Sequence, residues 1–409
     1  MRYDPLILFL LATFTISTVL TTGGVVCYVG TWANYRTGNG NYSIPNIGEN
    51  LDVDLCDHII YTFVGLEEAT GKVISLDPWL DLGTGTGGTG LRGFCTFTDL
   101  KQKNPNLRAS LAVGGWNEGS SKYSTMVNDP AKRKIFIDSA VEMMKEYNFD
   151  GFDLDWEYPN QRGGNPVDAE NFNTLIREFR EEFDKYGFFL TAAVASAPES
   201  VDLSYDVPSL SKYLDRIHVM TYDLHGPWDG VTGINAPMYG SSVYSNNETL
   251  AGLYVDNCIR GWLNRGADPE KLALGMPTYG KTFVLSDPSN YGIGAPTQPG
   301  NGGPAGPHTK QDGMLGYNEY CEFKSTDGWQ EVWDDEQQGV YAYKSNGEWI
   351  GFDNEKSLCM KGKYAKDLKL GSTMIWSSET DDFRGICGGK KNPLTAAIKD
   401  GISSNPTLC

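Results

Sequence analysis

Eight short segments rich in branched and aromatic residues recur along this chain, with helix-like stretches between most of them. They run from Val25 to Trp32, His58 to Leu66, Arg108 to Trp116, Gly151 to Tyr158, Phe188 to Ser196, Arg216 to Leu224, Leu272 to Gly280 and Gly371 to Ser378. Strand, helix, strand in regular alternation is the pattern of parallel strands joined by crossover helices, and eight repeats suit a closed barrel. The expected fold class is therefore α/β, a (β/α)8 TIM barrel. A length of 409 residues is long for one ordinary domain but fits such a barrel with insertions.

The intervening helices carry their own signals. Asp129-Pro130 followed by AKRKIFIDSAVEMMKEY offers an N-cap, a proline at the first helical position, and Ile135, Ile137, Ala140, Met143 and Met144 at helical spacing. Pro166 to Tyr186 repeats the design, with Asn171, Phe172, Leu175, Ile176 and Phe179 along a mixed apolar stripe. Both read as outer helices of the barrel.

Two stretches break the repeat. Asp81 to Gly93 contains GTGTGGTG, which lacks the Lys-Ser or Lys-Thr of a phosphate loop and any dinucleotide spacing, so it reads as a flexible loop. Between the seventh and eighth segments, 281–353 opens with the Gly/Pro-rich run YGIGAPTQPGNGGPAGP. Short aromatic segments follow, with the turn pair Asn346-Gly347 between strand-like pieces. This is expected to be a small antiparallel insertion on the barrel top. The domain reading is a signal peptide at 1–22, a barrel from 23–280 and 354–388, the insertion at 281–353, and a tail at 389–409.

The fourth segment lies within FDGFDLDWEYP, Phe149 to Pro159. Residues two apart on a strand share a face, so Asp153, Asp155 and Glu157 line one wall. Carboxylates that close cannot all ionise at neutral pH, and one of them should keep its proton, as a general acid must. A solvated acidic edge or a calcium loop are the alternatives. A calcium loop draws spaced oxygen ligands from a Gly-bearing turn, whereas here the spacers are Phe152, Leu154 and Trp156, which need a second layer to cover them.

At these residues the chain resembles the family 18 glycoside hydrolases, the chitinases and their relatives, whose signature is DGxDxDWE. Asp150, Gly151, Asp153, Asp155, Trp156 and Glu157 match it completely. Larger members of that family carry an α+β insertion at the same place, so the resemblance spans nearly the whole mature chain. It implies that Glu157 protonates the leaving glycosidic oxygen, while the substrate's own 2-acetamido oxygen attacks the anomeric carbon. It further implies that Asp155 orients the acetamido group, that Tyr222 hydrogen-bonds its carbonyl oxygen, and that Asp153 shares a proton with Asp155.

Barrel active sites sit at the C-terminal ends of the strands. By resemblance, Trp376 in MIWSSE is the floor under the reacting sugar, Trp116 and Trp32 are cleft aromatics on the non-reducing side, and Trp228 serves the leaving-group side. Tyr35, Phe63, Tyr158, Met220, Asp223 and Tyr279 at or beside strand ends complete the expected substrate-binding set. Lys281 stands where many relatives have Arg, and it lacks the planar fork that grips a sugar oxygen and a carboxylate together. Weaker or differently placed binding is expected there.

A net charge of −18 argues against nucleic acid, which demands a basic footprint, but is compatible with a neutral polymer. Leu6 to Leu20 is apolar and follows Arg2, which reads as a secretory signal, with an uncleaved anchor as the alternative. In an oxidising compartment eight cysteines suggest disulfides, with on the order of a hundred possible pairings. The resemblance implies Cys27 with Cys56 and Cys321 with Cys387, and leaves Cys95, Cys258, Cys359 and Cys409 open. Asn41 and Asn247 open glycosylation sequons. His218 and His225 lack an acidic ligand at metal spacing and read as structural, no GxSxG elbow is present, and neither metal nor cofactor is expected.

The function expected is a secreted, monomeric chitinase that hydrolyses β-1,4-linked N-acetylglucosamine polymers with retention, binding chitin or chitooligosaccharides. One rival is a chitin-binding lectin or growth-factor-like protein of the same fold, and Glu157 discriminates against it. The other is a hydrolase acting on N-glycan cores, against which the insertion and the aromatic row argue.

Overall fold

The structure, a computed structural model, describes residues 23–84 and 89–409. Its centre is a barrel of eight parallel strands: Gly24–Gly30, His58–Leu66, Arg108–Gly114, Gly151–Asp155, Phe189–Ala195, Arg216–Met220, Leu272–Pro277 and Ser372–Trp376. The first strand closes the ring, pairing with the last at Gly24 and Ser372 and with the second at Val26 and His58. Strand alternation sorts the side chains into two layers. Along the first strand Val25, Cys27 and Val29 join the large core under the helices, while Val26 and Tyr28 join a small cluster with Ile60, Ala112, Ala193 and Met374.

Several strands stop earlier than their apolar runs suggest. The first ends at Gly30, so Trp32 and Tyr35 ride on a 3-10 turn, Thr31–Tyr35; the third ends at Gly114, leaving Trp116 on another, Trp116–Glu118. The fourth ends at Asp155, two residues short of Glu157. Gly114 permits this close approach: its φ is +112°, and a Cβ there would lie 2.1 Å from the Asp155 carbonyl oxygen. Neither condition suits any residue but glycine.

The helix expected after Asp129 spans Pro130–Tyr147, and the Asp129 carboxylate accepts from the N–H groups of Ala131 and Lys132. Its buried face is Phe136, Ile137, Ala140, Val141 and Met144; Ile135, counted in the expected stripe, is exposed instead. The next helix is Asp168–Phe183, burying Phe172, Leu175, Ile176 and Phe179, with Asn171 only half covered. In the Gly-rich run after Asp81, residues 85–88 lie outside the described residues, as does the whole signal segment. Among the described residues no helix is long and apolar enough to cross a membrane.

A second, antiparallel sheet rises from the seventh barrel strand. Its hub is Tyr279–Leu285, which pairs with Thr297–Gly302, Met314–Gly316 and Glu348–Phe352; Gly339–Tyr343 and Gln330–Asp334 extend it, and the helix Tyr317–Phe323 packs beside it. Asn346-Gly347 turns the hairpin between Gly339–Tyr343 and Glu348–Phe352, with Gly347 at φ +92°. Three disulfides join Cys27 to Cys56, Cys321 to Cys387 and Cys359 to Cys409, while Cys95 and Cys258 are free thiols.

Candidate active site

The carboxylates of the fourth strand differ sharply in surroundings. Asp153 is fully buried inside the barrel: its Oδ2 accepts from the Tyr28 hydroxyl at 2.8 Å, and its Oδ1 accepts from the Thr191 hydroxyl and faces Nδ1 of His218 at 3.2 Å. Asp155, one turn of the pleat closer to the mouth, is also buried, yet its Oδ1 has no hydrogen-bond partner in the protein. Burial, then the charges of Glu157 and Asp153, push its pKa well above the usual carboxylate range. Burial also pushes Glu157 up to about 7, against the pull of Tyr158 and Arg162, with Asp223 adding to the rise. Near neutrality Glu157 can therefore both give and take a proton, and its neighbour favours the protonated form.

Two phenols frame the acids. Burial and the nearby carboxylates raise the pKa of Tyr28 and of Tyr222 well above the ordinary tyrosine value, so both remain O–H donors. For Tyr28 the strongest of those carboxylates is Asp153; for Tyr222 it is Asp155. Tyr222, Tyr158, Phe63 and Trp376 pack on the small inner cluster that includes Met220, which places all five at the top of the barrel.

Aromatic rings continue outward from there. Trp376 lies 5.7 Å from Tyr28, 5.8 Å from Phe63 and 6.1 Å from Trp32, ring centre to ring centre, and Trp32 stacks on Phe63 at 6.2 Å. Trp116 and Trp228 are 58% and 62% exposed, far beyond what a core residue shows, and Tyr35 and Trp32 are exposed as well. On one rim Lys281 is buried, with Nζ 2.9 Å from Oδ1 of Asp223; the Tyr279 hydroxyl meets the same oxygen at 2.5 Å. Nζ also lies 5.3 Å from the Trp228 ring centre. All the residues expected to bind or transform substrate thus fall on one end of the barrel, from Trp32 round to Trp376.

The two histidines flank the end of the sixth strand, and both are buried against acids. His218 points into the barrel against Asp153 and Tyr28, so it belongs to the network behind the acids, while His225 meets Asp229 at 3.0 Å. The two sequons also differ: Nδ2 of half-buried Asn41 donates to the carbonyls of Asn34 and Arg36, whereas exposed Asn247 uses only Oδ1, capping a helical turn.

Comparison with known proteins joins this geometry to a lineage. Residues 24–381 match the profile of "Glycosyl hydrolases family 18". The chain belongs to glycosyl hydrolase family 18. This family 18 chain is 42% identical to probable chitinase 2 of Drosophila melanogaster, over 94% of its own length and 78% of the relative's. A Group IV chitinase of Ostrinia furnacalis, solved with allosamidin, is 44% identical and superposes with a TM-score of 0.87 over 94% of this chain and 100% of the other. Human YKL-39, described as a pseudo-chitinase with retained chitooligosaccharide binding, is 34% identical with a TM-score of 0.82 over 93% and 100%.

Sequence reasoning missed four residues that this family 18 chain places at the site. Tyr28 and Thr191 hold Asp153, but each sits in an apolar strand run where nothing marks a polar partner. Arg162 lies 3.4 Å over the Trp116 ring and donates to the carbonyls of Glu157 and Trp116 at 2.9 and 3.0 Å. Trp79, 38% exposed, lies 6.4 Å from Tyr35 and lengthens the aromatic row. The DPWLD around Trp79 resembles an ordinary helix start, and only its position beside a strand end would have flagged it.

Proposed function

We propose that this family 18 chain is a secreted, monomeric chitinase that cleaves β-1,4-linked N-acetylglucosamine polymers with retention at the anomeric carbon. The observation that carries the reading is the pairing of Glu157, with a pKa of about 7, and Asp155, buried with a free acceptor oxygen. In the first step Glu157 gives its proton to the glycosidic oxygen as the bond to C1 breaks. The acetamido oxygen of the same sugar closes on C1 from the opposite face, producing a cyclic oxazolinium.

Asp155 accepts the acetamido N–H and offsets the positive charge that develops, a contribution that grows where water is excluded. Tyr222 donates to the acetamido oxygen. The proton that Asp155 releases as it becomes the anion is taken up by the Asp153 network, and the two carboxylates titrate as a pair. Glu157, now ionised, removes a proton from water that attacks C1 as the C1–O bond of the oxazolinium breaks, which restores the acetamido group and lets the proton return to Asp155. Two inversions give retention. Trp376 supports the reacting sugar, Trp32 and Trp116 the units on one side, and Trp228 those on the other.

A binding protein without hydrolysis is the weaker reading, because the acid and its raised pKa are both in place. The test is cleavage of N-acetylglucosamine oligomers, with the anomer of the first product followed by NMR. The β anomer should appear first, and oligomers bearing glucosamine just before the scissile bond should resist cleavage. Initial release of the α anomer, or efficient cleavage after glucosamine, would overturn the mechanism.

A further inference from the structure

Between the insertion and the rim of the barrel runs a strap in which every residue from 232 to 238 is buried. The insertion grips it closely. A Cβ on Gly351 would lie 2.5 Å from the Gly233 carbonyl oxygen, and one on Gly339 would lie 2.9 Å from the Ile234 side chain. The Lys361 ammonium, 1% exposed and held by Asp353, donates to the Ala236 carbonyl at 2.6 Å. Two residues on, the Met238 N–H donates to the Gln337 carbonyl at 2.9 Å. Packed at this density, the strap moves only if the insertion moves with it.

Asn235, in the middle of the strap, is fully buried and bonded to both elements of the rim. Its Oδ1 accepts from the Asp223 N–H at 2.8 Å, and its Nδ2 donates to the Tyr279 carbonyl at 3.0 Å. Its own carbonyl accepts from the next N–H of the turn, that of Leu224, at 3.0 Å. The amide fits in this orientation only, because a donor faces it on one side and an acceptor on the other. Asp223 has a φ of +54°, a left-handed conformation that a residue with a Cβ keeps when its surroundings hold it there. From that turn its Oδ1 meets the Tyr279 hydroxyl and the Lys281 ammonium, and Lys281 in turn faces Trp228. One amide therefore fixes the turn that presents Asp223 against the strand that presents Tyr279 and Lys281.

We propose that Asn235 is a positioning residue that sets specificity for the sugar on the leaving-group side, acting through Asp223 and Lys281 and bringing the insertion to bear on that end of the cleft. The proposal rests on the chitinase reading for the substrate and for the side of the cleft. Asn235 touches no sugar itself. Removing its side chain leaves the Asp223 N–H without its acceptor, so the turn relaxes from its left-handed form and the bond from Lys281 to Asp223, beside Trp228, loosens.

The experiment compares Asn235→Ala with the wild-type protein on two substrates, the N-acetylglucosamine tetramer and an aryl chitobioside, whose leaving group is not a sugar. On the tetramer kcat/KM should fall about tenfold, the scale of two lost hydrogen bonds, with most of the loss in KM. On the aryl substrate the fall should stay within about threefold. Asn235→Leu, which keeps the volume and removes both side-chain bonds, takes its place if the cavity left by alanine prevents folding. Melting curves establish that the variant is folded at the assay temperature. Equal losses on the two substrates, no loss on either, or failure of both variants to fold overturns the proposal. Wild-type hydrolysis separates the two claims: its absence on both substrates defeats the chitinase reading, and its presence with equal losses in the variant defeats only the role of Asn235.

Discussion

The guanidinium of Arg162 lies 3.4 Å over the indole of Trp116 and at the same time donates to the carbonyl oxygen of Glu157. One side chain thus links an exposed cleft aromatic to the backbone of the acid. Its positive charge is also among the influences that hold the Glu157 pKa down against burial. Arg162→Ala should raise KM for oligomers, since Trp116 loses the partner that fixes its ring. It should also move the alkaline limb of the kcat/KM profile upward, because removing a positive charge favours the protonated acid. A pH series on both proteins checks the sign; an alkaline limb that shifts downward contradicts it.

Tyr28→Phe keeps the ring and removes one hydroxyl. That hydroxyl donates to Asp153 and touches His218 at 2.6 Å, so its loss leaves buried polar atoms short of a partner. The cost should be roughly 1–3 kcal/mol of stability, and turnover should fall through Asp153 and Asp155 while oligomer binding changes little. Thermal melting beside kcat and KM measures both effects.

How much of this was legible beforehand depended on whether the signal was local. Asp153 and Asp155 were legible because strand alternation puts them on one face, with Glu157 two residues beyond the strand's end, and Asp129-Pro130 because a cap is a short-range event. Tyr28 was not, since its meeting with Asp153 joins residues 125 apart across a closed barrel. Ile135 was assigned to the wrong face because neighbouring Phe136 and Ile137 compete for the core on a helix whose tilt is set by packing. The Cys359 to Cys409 bridge follows from where the C-terminal tail folds back, which no spacing encodes.

Gly114→Ala should abolish activity and destabilise the barrel by at least roughly 1–3 kcal/mol, the usual cost of a non-glycine residue forced to such a φ. The added methyl would also overlap the Asp155 carbonyl. Denaturant unfolding gives the stability, and oligomer hydrolysis the activity.

Asp81 is buried under Tyr61 and Ser75, whose hydroxyls each donate to it, and burial pushes its pKa up to about 6 from the ordinary 3.8. A folded-state pKa above the unfolded one means stability present at low pH and lost as pH rises from about 4 through about 6. Asp81→Asn removes that loss. Relative to wild type, the variant should gain about 3 kcal/mol between pH 4 and pH 7, read from denaturant midpoints at each pH; a constant difference would show that Asp81 does not titrate in this window.

The central claim is that Glu157 supplies the proton. Glu157→Gln preserves shape and size but cannot donate to the leaving oxygen. Measured on N-acetylglucosamine oligomers, kcat should fall at least ~10²-fold, the usual worth of a positioned general acid, while oligomer affinity by calorimetry stays near that of the wild type. Turnover close to the wild-type rate in Glu157→Gln would contradict the account.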